Sequence, residues 1–120
     1  MKIMELKKEF SFEASHYLPN AGKKHKCSSL HGHGFKVIFS VKGKVDKKYG
    51  WVMDFGQISL LVKPLIDKLD HSNLNEIKGL ENPTSENIAI WFWEKLKKDI
   101  PLLHSIEVKE SDKSSCVFFG

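Results

Sequence analysis

Apolar and polar residues alternate with period two from about Ile3 to Tyr17, where Phe10, Phe12, Ala14 and His16 share one side and Ser11, Glu13 and Ser15 the other. The alternation predicts a half-buried strand. It returns after Gly34, with Phe35, Val37, Phe39 and Val41 facing one way and Lys36, Ile38, Ser40 and Lys42 the other. The Asp, Lys and Gly composition of residues 43–50 predicts a turn, and Trp51-Val52-Met53 a short returning strand. The period then changes: Ile58, Leu61, Val62, Leu65, Ile66 and Leu69 recur at i, i+3 and i+4, which predicts an amphipathic helix. Asp54 is its expected N-cap, with Gln57 completing a capping-box-like pair, and Pro64 inside it removes one ladder hydrogen bond, so a kink or tightened turn is expected. A second helix starts at Pro83-Thr84-Ser85-Glu86 and buries Ile88, Trp91, Phe92 and Leu96. Ala89, Ile90 and Trp93 widen its apolar side, which points to cover from a neighbouring subunit. Finally Ile106, Val108 and Glu110 alternate with Glu107, Lys109 and Ser111, and after Asp112-Lys113-Ser114 the chain returns through Cys116 to Phe119 as a hairpin.

Length and composition narrow this picture. A chain of 120 residues makes one compact domain, 1–120, and its 41% hydrophobic and 28% charged content is that of a soluble protein. No apolar run reaches membrane-span length and the start lacks a signal-peptide pattern, so a cytoplasmic protein with no membrane partner is expected. Cys27 and Cys116 are too few for a disulfide framework. The net charge is +4, yet all 19 cationic side chains are lysine, so the guanidinium fork that reads bases and phosphates is absent and no nucleic-acid partner is expected. Lys23, Lys24 and Lys26 form either a solvated loop or a set of point charges for phosphate.

The chemistry gathers at Cys27-Ser28-Ser29-Leu30-His31-Gly32-His33. In an extended chain His31 and His33 project to one side, in line with the apolar row that follows, and His16 ends the apolar row of the first strand. Any one of these histidines alone reads as a packed core residue. Two strands each delivering imidazole to the end of an inward row instead suit a metal with three protein ligands and an open position. Asp70-His71, at the end of the first helix, is either a surface pair favoured by the helix dipole or a relay. Glu110 is either solvated near the turn or a carboxylate with a designated partner.

Taken together, Phe12-Glu13-Ala14-Ser15-His16, Cys27 before His31-Gly32-His33, Asp54-Phe55, Leu69-Asp70-His71, Asn82-Pro83-Thr84-Ser85-Glu86 and Lys109-Glu110 resemble the 6-pyruvoyl-tetrahydropterin synthase family over nearly the whole chain. The short gap between Cys27 and the histidines, with Gly-Leu-Glu-Asn-Pro-Thr-Ser-Glu at 79–86, is most similar to its bacterial 6-carboxytetrahydropterin synthase branch of queuosine biosynthesis. The resemblance implies an α+β tunnelling fold (T-fold): a four-stranded antiparallel sheet with two helices in ββααββ order, subunits joined into a β-barrel, and a homohexamer of two trimers with active sites between subunits. It implies one Zn2+ per subunit on His16, His31 and His33, Cys27 as catalytic base, Asp70 and His71 as its relay, Glu110 as pterin anchor and catalytic residue, and Thr84 and Ser85 in contact with the pterin. The implied substrate is a small-molecule pterin triphosphate, 7,8-dihydroneopterin triphosphate, and the implied products are 6-carboxy-5,6,7,8-tetrahydropterin, acetaldehyde and triphosphate.

Two sister activities share the scaffold: triphosphate elimination to 6-pyruvoyl-tetrahydropterin, and aldol-type cleavage of dihydroneopterin, which usually has glutamate where Cys27 stands. A non-catalytic zinc- or pterin-binding module would need the histidines and Glu110 but gives no reason for Cys27, Asp70 and His71. Ser111 keeps the hydroxyl of the threonine that often follows the glutamate. Cys116, His25 and His104 fall outside the pattern and are expected to be ordinary packing or surface residues.

Overall fold

Two 14-residue strands, β1 (Ile3–His16) and β2 (His31–Lys44), dominate the computed structural model, which describes residues 2–120. They pair antiparallel along their whole length, Ile3 opposite Lys44 and His16 opposite His31, so two histidines meet at one end of the ribbon. Helix α1 (Phe55–Leu69), a two-residue strand β3 (Ser72–Asn73), helix α2 (Ser85–Leu96) and the hairpin β4 (Leu103–Ser111) and β5 (Ser114–Phe118) follow. The sheet order is β3-β1-β2-β4-β5.

The alternation decides which face is buried. Phe12, Ala14, Phe35, Val37, Phe39, Val41, Ile106 and Val108 point to one side of the sheet, where Ile58, Val62, Ile66 and Leu69 of α1 and Ile88, Trp91, Phe92 and Leu96 of α2 close the core. On the other side Glu5, Lys7, Glu9, Ser11 and Glu13 of β1 lie exposed. Among the described residues no helix is long and apolar enough to cross a membrane.

Three expectations need correction. The sheet has five strands rather than four, because Ser72 and Asn73 pair in parallel with Ala14 and Ser15. Trp51-Val52-Met53 forms bends, not a strand: the Asp46 amide donates to the Trp51 carbonyl at 2.8 Å and the Asp46 carboxylate takes the Lys48 and Tyr49 amides, so the loop satisfies its backbone by itself. Pro64 lies inside helix α1, exposed on the same face as exposed Leu60, where water can serve the carbonyl that proline leaves without a donor. The broad apolar side of α2 is used largely within the chain: Ala89 is fully buried and Trp93 packs edge-on against Phe118.

Asp54 caps α1 as expected, its carboxylate accepting the Gly56 amide. For α2 the cap is Thr84, whose hydroxyl accepts the Asn87 amide, so Pro83 stands just outside the helix and its carbonyl stays free for another donor.

Candidate metal centre

The free carbonyl of Pro83 receives the Nδ1–H of His16 at 2.9 Å. His31 and His33 do the same with the carbonyls of Ser29, at 2.8 Å, and Gly34, at 3.0 Å. A carbonyl only accepts, so each imidazole carries its proton on Nδ1 and turns a bare Nε2 lone pair inward. Metal-binding histidines are oriented in this way by outer partners. One ligand atom from each of the three lies within 4.8 Å of the others.

The imidazoles fit a cation better than they fit one another. The Nε2 atoms of His16 and His33 are 3.0 Å apart, and Oε1 of Glu110 lies 3.3 Å from the first and 3.2 Å from the second. Burial holds His16, only 2% exposed, below the usual imidazole range, against the opposing pull of the Pro83 carbonyl and Glu110, so it stays neutral near pH 7. Two ring nitrogens and a carboxylate oxygen thus converge on one place, an arrangement that a positive ion would suit. The ligand nitrogens of a tetrahedral zinc site, each about 2.0–2.1 Å from the ion, stand a little over about 3 Å apart, in keeping with this spacing.

A bulge aims Glu110. Lys109 pairs with Ser115 but Ser111 pairs with Ser114, so Glu110 is an extra residue on β4 that leaves the ladder, a device that re-aims side chains at sheet edges. Ser85 at the start of α2 then donates its hydroxyl to the other carboxylate oxygen at 2.5 Å. Ser85 is thus tied to Glu110, and the hydroxyl of Thr84 accepts the Asn87 amide as a helix cap.

Cys27 sits in a three-residue 3-10 turn, Lys26–Ser28, and lines a cavity of about 470 Å³ together with Lys26, His31, His33 and Glu110. His71 lines a second cavity, of about 430 Å³, with Glu13, Ser15, Gly32, Ser72 and His33, the residue it shares with the first. Among the described residues no hydrogen bond or ion pair joins Cys27 to Asp70 or His71. The Asp70–His71 pair is itself well made: Oδ2 of Asp70 lies 3.0 Å from Nδ1 of His71, and Oδ1 accepts the Glu13 amide at 2.9 Å. The Glu13 amide, with His71 beside it, holds the Asp70 carboxyl below the usual carboxylate range. His71 has a left-handed backbone, φ 58°, a conformation non-glycine residues rarely adopt, and its amide donates back to the Glu13 carbonyl at 2.6 Å.

Reading side chains along the sequence found the three histidines, Cys27, the Asp70–His71 pair and Glu110, but missed the carbonyls of Ser29, Gly34 and Pro83. It also missed His25, whose Nδ1 accepts the Cys27 amide at 3.0 Å. Cys116 conforms to expectation: it packs against the core, and burial pushes its thiol up, away from reactivity.

The family described as 6-pyruvoyl tetrahydropterin synthase matches residues 5–120. The chain is 44% identical to a 6-carboxy-5,6,7,8-tetrahydropterin synthase of Synechocystis, over 94% of this chain and 91% of that one. It is 42% identical to a dihydroneopterin monophosphate aldolase of Pyrococcus furiosus, over 76% of this chain and 73% of that one. Its fold overlays that of 6-pyruvoyl tetrahydropterin synthase from Caenorhabditis elegans with a TM-score of 0.90, at 28% identity, covering 100% of this chain and 97% of the other.

Proposed function

The chain belongs to the 6-pyruvoyl tetrahydropterin synthase family, and on that premise we propose that it is a zinc-dependent lyase of queuosine biosynthesis. It converts 7,8-dihydroneopterin triphosphate to 6-carboxy-5,6,7,8-tetrahydropterin, releasing acetaldehyde and triphosphate, as one domain spanning 1–120 and working in the cytoplasm. The observation that carries the reading is the convergence of ligand atoms from His16, His31 and His33, two of which, His31 and His33, line one cavity with Glu110 and Cys27. The Synechocystis relative supports this reaction among those of the family.

His16, His31 and His33 would hold one zinc ion, which would supply Lewis-acid stabilisation to hydroxyl oxygens of the substrate side chain. Glu110 takes the pterin ring: its ionised carboxylate offers two acceptors to the amide and amino donors of the ring edge, and the Ser85 hydroxyl orients it. Cys27, as thiolate, withdraws a proton from the side-chain carbon beside it. Lys26 lines the same cavity and is the lysine best placed to meet the triphosphate. No nicotinamide is required, because the oxidation level is redistributed within the substrate.

Asp70 orients the His71 imidazole through their 3.0 Å contact. Within one chain Cys27 and His71 line two cavities that share only His33, and we read the relay as completed by the pair of a neighbouring subunit. Open sheet edges favour such assembly: β3 covers only Ala14 and Ser15 of β1, and β5 ends the other side of the sheet. We read the assembly as a homohexamer of two trimers whose sheets join into a barrel.

Incubating the zinc-loaded protein with dihydroneopterin triphosphate and identifying the products tests the reading. Acetaldehyde with carboxytetrahydropterin is the expected result, and a 6-pyruvoyl product, or none, overturns it. The Pyrococcus relative favours a second reading, retro-aldol cleavage, which would instead leave a 6-hydroxymethyl pterin.

A further inference from the structure

Cys27 is held by its backbone at both ends. Its amide donates to Nδ1 of His25 at 3.0 Å, and its carbonyl accepts the Leu18 amide at 2.7 Å. The turn that carries it, Lys26–Ser28, spans three residues and buries none of them, so hydrogen bonds rather than packing fix where the thiol points. His25 is the N-cap of that turn, with an extended backbone at φ −75° and ψ 135°, and it contributes the side-chain part of the clamp.

Its imidazole is also used differently from its neighbours. His16, His31 and His33 donate Nδ1–H to carbonyls, whereas His25 accepts an amide at Nδ1 and so carries its proton on Nε2. The ring is committed to the Cys27 backbone and presents no bare Nε2 to a metal. From this geometry we propose that His25 is a positioning residue for Cys27, holding the thiol turn in the orientation in which Sγ faces the cavity shared with His31, His33 and Glu110. The proposal rests on the assignment of Cys27 as the catalytic base.

The Cys27–His25 hydrogen bond is exposed. Water can replace it, so its loss takes away direction more than stability. A merely structural cap would move the melting temperature, while a positioning residue moves kcat, because a misplacement near 1 Å costs on the order of a hundredfold in rate. The test compares His25→Ala with His25→Asn, since asparagine caps such turns through its side-chain oxygen. In His25→Ala, kcat for dihydroneopterin triphosphate is expected to fall about ten- to hundredfold, with KM, zinc content and melting temperature unchanged. His25→Asn restores most of it. Alkylation of the Cys27 peptide by iodoacetamide, followed by mass spectrometry, needs no substrate. It should quicken several-fold in His25→Ala as the thiol leaves the cavity for solvent, and return in His25→Asn.

Unchanged kcat and alkylation in His25→Ala overturn the proposal, as does loss of zinc or of melting temperature in step with kcat. Failure of His25→Asn to restore either property also overturns it, because the imidazole would then serve as more than an acceptor. If the wild-type protein makes no product yet the alkylation rates follow the expected order, the proposed reaction fails and the positioning role stands.

Discussion

The Nε2 atoms of His16 and His33 stand 3.0 Å apart while both rings turn Nδ1 to backbone carbonyls, so two neutral imidazoles would face each other with their lone pairs. A cation bound there would turn this repulsion into stabilisation of the folded state. Adding Zn2+ to chelated protein at about one hundred times its Kd should stabilise the fold by about 2.7 kcal/mol, a rise on the order of 10 °C in melting temperature for a chain of this size. His33→Ala should abolish the rise. The measurement is a thermal melt with and without zinc, and no response in the unmutated protein removes the metal from the account.

Glu110 leaves the β4–β5 ladder at a bulge and takes a hydrogen bond from Ser85. If its charge serves the pterin, Glu110→Gln should lower pterin affinity by about ten- to hundredfold, the worth of a hydrogen bond to a charged group at roughly 1.5–3 kcal/mol, while zinc content is retained. Ser85→Ala should act in the same direction and less. Calorimetric titration of a pterin product into the zinc-loaded variants checks both, and loss of zinc in Glu110→Gln would make Glu110 a ligand instead.

Cys27 shares its cavity with two histidines of the cluster without belonging to it. Cys27→Ala should therefore keep zinc and pterin binding while turnover falls by about a hundredfold to ten-thousandfold, the usual range for a positioned base. Steady-state rates with metal analysis decide it: unchanged turnover removes the thiol from the mechanism.

What could be read in the chain beforehand, and what could not, divides along physical lines. Phe12, Val37, Ile58 and Ile88 reveal their elements because burial on one face imposes a period of 2.0 or 3.6 on side chains, and the parity of His16 against His31 and His33 follows from the same rule. The carbonyls of Ser29, Gly34 and Pro83 give no such signal, since every residue has one and only the fold decides which is free. The bulge at Glu110 and the pairing of Ser72 with Ala14 depend on register, which a single strand does not state. Trp51-Val52-Met53 has strand-forming residues without a partner strand beside it, and the Asp46 loop took its backbone instead. His25 looked idle because its role is local, toward a backbone amide two residues on, a cap that serine or asparagine would have advertised.

Asp70 gives a pH dependence. The Glu13 amide and His71 depress its folded-state pKa below the unfolded value of about 3.9. A depressed carboxyl contributes stability that is fully present above the unfolded pKa and is lost as pH falls through the folded one. The melting temperature should therefore drop on acidification below about pH 4, and Asp70→Asn should drop less over the same window, having no charge to lose. Melts between pH 6 and pH 2.5, on the order of one unit apart, check this, and parallel curves for the two proteins would detach Asp70 from acid stability.

The separation of Cys27 from the Asp70–His71 pair yields the sharpest test of assembly. His71 is 81% exposed and held in a left-handed backbone conformation by Glu13, an arrangement that points an imidazole outward from its own chain. If it serves the Cys27 of a neighbour, Cys27→Ala and His71→Ala are each inactive alone, yet a mixed oligomer contains sites with an intact cysteine from one subunit and an intact histidine from the next. Random 1:1 mixing in a cyclic arrangement makes about one site in four complete, so co-refolded protein should recover about a quarter of the wild-type rate. Both variants keep the three histidines and Glu110, so zinc content serves as the control for correct folding. Zinc-loaded mixed oligomers without activity would place Cys27 and His71 in service to the same chain, across the His33 that lines both cavities.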